Sequence, residues 1–216
     1  MVHDRAAIIA EDGVVAVVRL DDLAAAVPLT EALVAGGVRA VEFTFTNPRA
    51  GQAIAAAREA LGARALIGAG SVLDTETART AILAGAAYVV TPTVSLPTIA
   101  LCHRYGVPTL IGALTPTEIL TAWEAGATYV KVFPATLGGP GYFKDVLGPL
   151  PQVRLVPTGG VSVENAADFI RAGAAAVALG SNLVDARTVA AGDWGTITAR
   201  GRAVIAAVAE GRRAKL

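Results

Sequence analysis

The sequence predicts an α/β fold, a (β/α)8 TIM barrel formed by a single domain over residues 1–216. Eight short runs rich in β-branched residues recur along the chain, and their starts lie roughly 20 to 27 residues apart, the spacing of a strand, a helix and a turn. Ala-rich segments with helical periodicity separate the runs. The runs are apolar almost throughout, as expected for parallel strands buried on both faces. Eight such units without a linker favour one barrel.

The predicted strands occupy the eight runs in chain order. They cover residues 14–19, 38–43, 65–69, 88–91, 108–112, 129–133, 154–157 and 175–179. Helices are predicted between them, for example at residues 22–34, 48–61 and 162–171, because Asp, Ser or Thr opens several of these segments and glycine closes them. A doubly wound open sheet is the structural alternative. The Gly-x-Gly-x-x-Gly motif of that fold is missing after the first run, so the barrel is favoured.

Four Ala-Gly pairs precede the second, fourth, sixth and eighth runs, at positions 35–36, 84–85, 125–126 and 172–173. Glycine commonly follows the last turn of a helix because it adopts the left-handed backbone conformation without steric cost. We therefore expect Gly36, Gly85, Gly126 and Gly173 each to end a helix in this conformation.

Charge and composition exclude several classes of function. Lys and Arg number 18, Asp and Glu also number 18, and the net charge is zero, so no broad cationic surface favours nucleic acid or anionic lipid. Apolar residues make up 54% of the chain and charged residues 17%, which suits a large core rather than a disordered chain. Residues 80–102 are uncharged, but Pro92 and Pro97 interrupt them, and we expect no membrane span.

The few thiol and imidazole groups limit metal and redox chemistry. Cys102 is the only cysteine, so we expect no intramolecular disulfide, and a reducing, cytoplasmic compartment fits. His3 and His103 are the only histidines, too few for a multi-histidine metal centre, and we expect no metal. Adjacent side chains on a helix point about 100° apart, which argues against a catalytic dyad of Cys102 and His103. The acidic N-terminal residues argue against an export signal.

Three of the charged residues within the runs are candidates for a functional role. Lys131 lies within the sixth run, where burial would lower its pKa and produce the free amine that a Schiff base needs. A structural lysine that reaches solvent from the strand end is the alternative. Glu42 is the one acidic residue within the eight runs, and it is either the counter-ion of Lys131 or a proton shuttle. Arg19 ends the first run, where its guanidinium either binds a carboxylate in the barrel mouth or stays solvated.

Two glycine-containing loops indicate an anion site. They follow the seventh and eighth runs, where barrel enzymes frequently bind phosphate through backbone N–H groups. Either loop alone could be only a tight turn, but the pair at these two positions favours phosphate. Ser71 follows the third run and offers a hydroxyl in the same mouth. The loops consist of Thr158, Gly159 and Gly160 after the seventh run, and of Gly180 and Ser181 after the eighth.

Five motifs, taken in chain order, resemble those of one family. They are Gly-Gly-Val-Arg-Ala-Val-Glu-Phe-Thr at 36–44, Ile-Gly-Ala-Gly-Ser-Val-Leu at 67–73, Lys-Val-Phe-Pro at 131–134, Val-Pro-Thr-Gly-Gly-Val at 156–161 and Gly-Ser at 180–181. Together they span nearly the whole chain and resemble the 2-keto-3-deoxy-6-phosphogluconate/4-hydroxy-2-oxoglutarate (KDPG/KHG) aldolases. The resemblance implies a class I aldolase of the Entner-Doudoroff pathway and a homotrimer. Such an enzyme would reversibly cleave 2-dehydro-3-deoxy-6-phosphogluconate to a 2-keto acid, pyruvate, and a phosphorylated aldehyde, D-glyceraldehyde 3-phosphate. The reaction would use a covalent Schiff base on Lys131 and no cofactor.

The resemblance also implies roles for individual residues. Lys131 matches the Schiff-base lysine, Glu42 the general acid/base, and the two loops the phosphate site. Ser71 stands where the family often has threonine, which implies a contact with the pyruvyl carboxylate. Thr46 stands where some members carry an arginine, and we expect Arg19 to supply that cation. The expected substrate contacts also include Thr46, Pro92 and Phe133.

Other functions remain open at this point. The same chemistry could act on unphosphorylated 4-hydroxy-2-oxoglutarate or on 2-dehydro-3-deoxy-6-phosphogalactonate, although the two loops favour a phosphorylated substrate. A phosphate-binding isomerase or synthase could use Lys131 and Glu42 only as polar contacts, without a covalent intermediate. A non-catalytic assembly or metabolite-binding protein is a third class. The buried charges argue against it, because burying two ions is costly and contributes nothing obvious to a scaffold.

Overall fold

The computed structural model describes residues 6–213. Eight parallel strands form one sheet in the order β7-β6-β5-β4-β3-β2-β1-β8. A bridge between Thr158, just after β7, and Ala178 of β8 brings the two edges of the sheet together. The chain is therefore a (β/α)8 barrel, which confirms the predicted fold. The strands are β1 (Val14–Val18), β2 (Ala40–Thr44), β3 (Leu66–Gly70), β4 (Tyr88–Val90), β5 (Thr109–Ala113), β6 (Tyr129–Val132), β7 (Leu155–Pro157) and β8 (Val177–Leu179).

Helices connect the strands and cover the outside of the barrel. Two short 3₁₀ segments, Gly62–Arg64 and Ala135–Leu137, precede β3 and follow β6. The α-helices are α1 (Ala7–Asp12), α2 (Ala26–Ala35), α3 (Ala50–Leu61), α4 (Thr75–Leu83), α5 (Leu96–Arg104), α6 (Pro116–Glu124), α7 (Gly139–Leu147), α8 (Val163–Arg171), α9 (Ala186–Ala190) and α10 (Trp194–Arg213).

Side-chain caps fix where several helices begin. The Asp74 carboxylate accepts a hydrogen bond from the Thr77 amide at the start of α4. At α6, Thr115 and Glu118 form a reciprocal capping box, in which each side chain accepts a hydrogen bond from the backbone of the other residue. Such contacts satisfy backbone amides that the first helical turn leaves unpaired.

The predicted elements are found, with two local differences. The helix predicted over 22–34 starts only at Ala26, because Asp22 accepts a hydrogen bond from the Ala24 amide and holds a turn there. The left-handed conformation is present at Gly85, Gly126 and Gly173, as predicted. The prediction is wrong for Gly36, which has φ −83°, and its neighbour Gly37 takes φ +90° instead. Gly36 packs against α10, a long-range contact that the local pattern does not reveal.

Alternate residues of each strand point into the barrel or toward the helices. The larger apolar cluster lies between the strands and the helices. The smaller cluster fills the barrel interior toward the amino-terminal ends of the strands. Ile9 of α1 and Ala6, directly before α1, belong to this cluster and cover that end of the barrel. Because the interior is packed here, the open space lies at the carboxyl ends of the strands. The strand residues of the interior cluster are Val15, Val17, Ala40, Leu66, Tyr88, Val90, Leu110, Tyr129, Val156, Ala176 and Ala178.

Residues 80–102, the uncharged stretch of the sequence, form the end of α4, all of β4 and most of α5. In the part of the chain that the structure describes, no helix combines the length and apolarity needed to cross a membrane. His3 lies outside the described residues.

Candidate active site

Strand register places Glu42 and Lys131 on the inner face of the barrel. Glu42 pairs with Val17 of β1, and Lys131 pairs with Val156 of β7. Both partners belong to the interior cluster, so the two charged side chains share the interior with them. Only 2% of Glu42 and 3% of Lys131 is exposed. A carboxylic acid and an amine are therefore buried together inside the barrel.

Burial changes the proton affinity of both groups. It raises the pKa of Glu42, and the positive charges of Lys131 and Arg19 oppose this increase. It lowers the pKa of Lys131, with the charge of Glu42 opposing the decrease and that of Arg19 adding to it. Among the described side chains, no ion pair shorter than 4.0 Å joins Lys131 to Glu42. The Lys131 amine is thus more easily deprotonated than an ordinary lysine, as a nucleophile requires.

An aromatic ring lies beside the amine. The Nζ atom of Lys131 is 5.3 Å from the centroid of the Phe133 ring. Phe133 also lines a cavity of about 240 Å³ at the carboxyl ends of β1, β6, β7 and β8. The Phe133 ring therefore lies beside both the buried Lys131 amine and the cavity.

Seven of the residues singled out from the sequence line this one cavity. Five further lining residues are not among the contacts predicted from the sequence: Val17, Val161, Ala178, Asn182 and Val184. The Asn182 amide donates a 2.7 Å hydrogen bond to the Val161 carbonyl and so ties the loop after β8 to the loop after β7. Its position directly after the Gly-Ser pair was the available signal. The predicted residues that line the cavity are Arg19, Phe133, Thr158, Gly159, Gly160, Gly180 and Ser181.

The two glycine loops present bare backbone to the cavity. Gly159 and Gly160 adopt φ +88° and +74°, a conformation that disfavours other residues. Within residues 6–213, neither of their N–H groups donates to a backbone acceptor outside regular strands and helices. The buried Thr158 hydroxyl also has no hydrogen-bond partner in the described structure. These unpaired donors are suited to an anionic group such as phosphate.

Three predicted contact residues lie outside the lining of this cavity. Ser71 follows β3 and, among residues 6–213, is the one non-glycine residue with positive φ, +56°. The Thr46 hydroxyl shares a 2.8 Å hydrogen bond with that of Thr44. The Pro92 backbone lies against Gly112 of β5, where an added Cβ would come within 2.1 Å of the Pro92 carbonyl carbon. The loops that carry Ser71, Thr46 and Pro92 each follow a strand, at the same end of the barrel as the cavity.

Cys102 and His103 form no reactive pair. Burial raises the pKa of the Cys102 thiol to about 12, so it stays protonated at neutral pH. His103 is exposed, and its Nε2 atom lies 2.8 Å from the Gly126 carbonyl oxygen.

Comparisons with known proteins identify the family of the chain. The sequence matches the family described as "KDPG and KHG aldolase" over residues 6–200. A 2-dehydro-3-deoxy-phosphogluconate aldolase of Treponema pallidum is 42% identical over 187 residues, which are 86% of this chain and 89% of that protein. A 2-dehydro-3-deoxy-6-phosphogalactonate aldolase of Escherichia coli is 39% identical over 153 residues, which are 70% of this chain and 75% of that protein.

A solved structure extends the likeness to three dimensions. The KDPG aldolase of Legionella pneumophila, with pyruvate captured as a covalent carbinolamine intermediate, matches with a TM-score of 0.86 and 29% identity. The match covers 93% of this chain and 97% of that one. The chain is therefore an aldolase, a lyase that acts on carbon–carbon bonds of small molecules, and it belongs to the KDPG and KHG aldolase family.

Proposed function

We propose that this chain is a class I aldolase that reversibly cleaves 2-dehydro-3-deoxy-6-phosphogluconate to pyruvate and D-glyceraldehyde 3-phosphate. The observation that carries the proposal is the pair of Lys131 and Glu42, both almost fully buried in one barrel interior that opens toward an anion-suited cavity. A buried amine with a lowered pKa is the nucleophile for a ketone, and the covalent intermediate replaces a separate cofactor.

The reaction begins with attack of the neutral Lys131 amine on the C2 ketone. The resulting carbinolamine loses water, with Glu42 passing the proton, and gives a protonated imine. Glu42 then removes the proton of the C4 hydroxyl through a water molecule. The C3–C4 bond breaks, its electrons move toward the imine nitrogen, and the aldehyde leaves. Glu42 returns a proton to C3 of the enamine, and water hydrolyses the imine to pyruvate and free Lys131.

The raised pKa of Glu42 suits this double role. A carboxyl group whose pKa lies nearer the working pH can both accept and return a proton within one cycle. The opposing charges of Lys131 and Arg19 keep the ionised form accessible.

The proposed substrate contacts extend from the Lys131 amine to the loops at the carboxyl ends of the strands. Arg19 binds the pyruvyl carboxylate, and the Ser71 hydroxyl contacts the same group. Phe133 forms a wall of the site, and Pro92 and Thr46 complete the mouth. The phosphate lies between the loops after β7 and β8, where Gly159, Gly160 and their neighbours line the cavity.

The second candidate substrate is 2-dehydro-3-deoxy-6-phosphogalactonate, the C4 epimer. The Escherichia coli relative of this name supports it, and the two glycine loops suit both epimers because both carry the same phosphate. Unphosphorylated 4-hydroxy-2-oxoglutarate would leave the loops unused. Catalytic efficiencies measured on all three compounds separate these candidates.

Trapping of the imine tests the mechanism. The protein is incubated with pyruvate and borohydride, its intact mass is measured, and the modified peptide is mapped. Reduction converts the imine to a stable secondary amine, so we expect one pyruvyl adduct, on Lys131. The absence of an adduct on folded protein would refute the proposal and favour a non-covalent isomerase or synthase.

We also propose that the enzyme is a cytoplasmic homotrimer with a role in the Entner-Doudoroff pathway. The family resemblance supports these features. Three exposed leucines that follow β3, β4 and β6 add support for a subunit contact, because large exposed apolar side chains favour association. These are Leu73, Leu96 and Leu137, the last 71% exposed. Light scattering of the purified protein should give three chain masses, and a monomer would contradict the assembly.

A further inference from the structure

Tyr88 carries a buried hydroxyl that the proposed reaction does not use. The residue begins β4, is fully buried, and belongs to the interior cluster of the barrel. Its Oη atom has no hydrogen-bond partner in the described structure. Leaving a buried hydroxyl unpaired costs stability, and a phenylalanine would fill the same space without that cost. The hydroxyl therefore calls for a functional explanation.

Gly68 determines where the Tyr88 ring lies. A Cβ on Gly68 would come within 2.4 to 2.6 Å of Cε1, Cζ and Cε2 of Tyr88. The hydroxyl-bearing end of the ring therefore crosses the bare backbone of β3. In the register of the sheet, Gly68 pairs with Tyr88 on one side and with Glu42 on the other. The phenol thus extends from β4 across β3 toward the strand that carries Glu42.

Glu42 extends toward β3 from the opposite side. A Cβ on Gly70 would lie 2.7 Å from the Glu42 Oε1 atom. Gly68 and Gly70 point to the same face of β3, because they are two residues apart on one strand. The phenol and the carboxylate therefore approach each other over Gly68 and Gly70, on one face of β3.

We propose that Tyr88 is a positioning residue for Glu42, whose carboxylate it holds through a hydrogen bond from its hydroxyl by way of one bridging water. A bridging water is the expected partner because Oη makes no direct hydrogen bond and two polar groups face each other in a buried site. As far as it concerns catalysis, this inference rests on the proposed function, in which Glu42 moves the protons.

The charges around Tyr88 and Glu42 favour the phenol as the donor and the carboxylate as the acceptor of this water-mediated hydrogen bond. Burial and the nearby charge of Glu42 raise the pKa of Tyr88 well above its ordinary value, so the phenol stays protonated and acts as a donor. Glu42 is faced by Lys131 from β6, Arg19 from the end of β1, and Tyr88 from β4. A donor to the ionised carboxylate opposes the effect of burial and favours the charged form of Glu42.

The test compares Tyr88→Phe with Tyr129→Phe. Tyr129 is the matched control because it is buried in the same cluster, but its hydroxyl donates to the Ala6 carbonyl at 3.4 Å, at the other end of the barrel. The pKa of Glu42 is measured by carbon NMR of protein labelled at the glutamate carboxyl carbons, without substrate, and Glu42→Gln assigns the signal. We expect Tyr88→Phe to raise this pKa by about one unit, and Tyr129→Phe to leave it unchanged.

A second variant covers the case in which Tyr88→Phe does not fold. Incorporation of 3-fluorotyrosine at position 88 makes the hydroxyl a stronger donor at nearly constant size, so the pKa of Glu42 should fall.

In kinetics, the acidic limb of the pH profile of kcat of Tyr88→Phe should move to higher pH, with KM nearly unchanged. Equal pKa values of Glu42 in Tyr88→Phe and Tyr129→Phe, or no response to the fluorinated residue, would overturn the inference. A failed imine trapping would instead refute the proposed function, while the NMR titration would still decide this inference.

Discussion

The Glu42 carboxylate lies against the bare backbone of Gly70. An added Cβ at Gly70 would be 2.7 Å from Oε1 and 2.9 Å from Cδ of Glu42. Real side chains do not approach so closely, so the glycine sets the position of the carboxylate above β3. The residue at position 70 thereby controls the geometry of the proposed acid/base group without touching the substrate.

We expect Gly70→Ala to lower kcat by about 10 to 100-fold, because displacing a reacting group by about 1 Å has effects of this size. Imine trapping on Lys131 should persist, since the amine is not moved. Gly51→Ala is the control, because a Cβ there would meet only the Ala84 Cβ at 3.7 Å. Steady-state cleavage rates measure the effect. Unchanged kcat in Gly70→Ala would show that Glu42 is not held in this way.

Lys131→Arg should abolish cleavage while the fold survives. The guanidinium keeps the charge and much of the length of lysine, but it stays protonated and cannot attack a ketone. Lys144→Arg is the matched control, since Lys144 is exposed on α7. Cleavage assays and circular dichroism are run on both variants. Substantial cleavage by folded Lys131→Arg would assign the chemistry to another residue.

The pKa of Lys131 should move in opposite directions in two variants. Glu42→Gln removes a negative charge that raises the pKa of Lys131, so this pKa should fall further. Arg19→Met removes a positive charge that lowers it, so the pKa should rise. Competitive labelling with acetic anhydride over a pH series, followed by peptide mapping, reports the pKa without any substrate. Shifts of the same sign in both variants would contradict the charge arrangement of the site.

Much of the barrel follows from local sequence. The eight apolar runs became the eight strands, because parallel strands between helices and a packed interior need apolar side chains on both faces. Because both faces of a strand are apolar, the sequence does not show which of its residues point into the barrel. For Lys131 and Glu42, a charge within the run gave the signal, and both lie inside the barrel. Tyr88 gave no signal, because a tyrosine in a core strand resembles ordinary packing until its hydroxyl is seen to lack a partner.

The features of the fold and the site that local sequence does not predict depend on long-range contacts. The loops after β7 and β8 were predicted as neighbours from their places in the barrel, and they line one cavity. Asn182 ties the two loops together, but its position after the Gly-Ser pair does not reveal its partner, because Val161 lies 21 residues earlier. The predicted conformation of Gly36 is wrong for a similar reason, because Gly36 packs against α10, which is distant in the sequence.

Gly180→Ala should weaken binding of phosphorylated substrates selectively. A Cβ on Gly180 meets no atom within 4 Å, and its φ is not positive, so the fold should tolerate the methyl group. The methyl would enter the cavity where we place the phosphate. We expect KM for the phosphorylated substrate to rise about tenfold, equivalent to the loss of one charge-assisted hydrogen bond. The KM for 4-hydroxy-2-oxoglutarate should change little, and equal increases for both substrates would place the phosphate elsewhere.

Gly36→Ala should destabilise the barrel without changing its chemistry. A Cβ on Gly36 would lie 2.8 Å from the Thr198 carbonyl oxygen and 3.1 Å from the Gly201 Cα, so α2 and α10 would have to separate. Both contacts are to backbone, which cannot rotate away as a side chain can. We expect a loss of about 1 to 3 kcal/mol in the free energy of unfolding, as for other overpacked sites.

Urea unfolding at one protein concentration measures this loss, and Gly141→Ala is its control. Gly141 lies in α7, where a Cβ meets no atom within 4 Å, so alanine should stabilise the helix by about 0.5 to 1 kcal/mol. The two Gly→Ala substitutions are thus predicted to change the free energy of unfolding in opposite directions. This difference separates the effect of packing from that of helix propensity. Because α2 and α10 pack outside the strands, kcat of Gly36→Ala in the absence of urea should equal that of the wild type. An unfolding midpoint of Gly36→Ala at or above the wild-type value would show that the close approach of these helices does not limit stability.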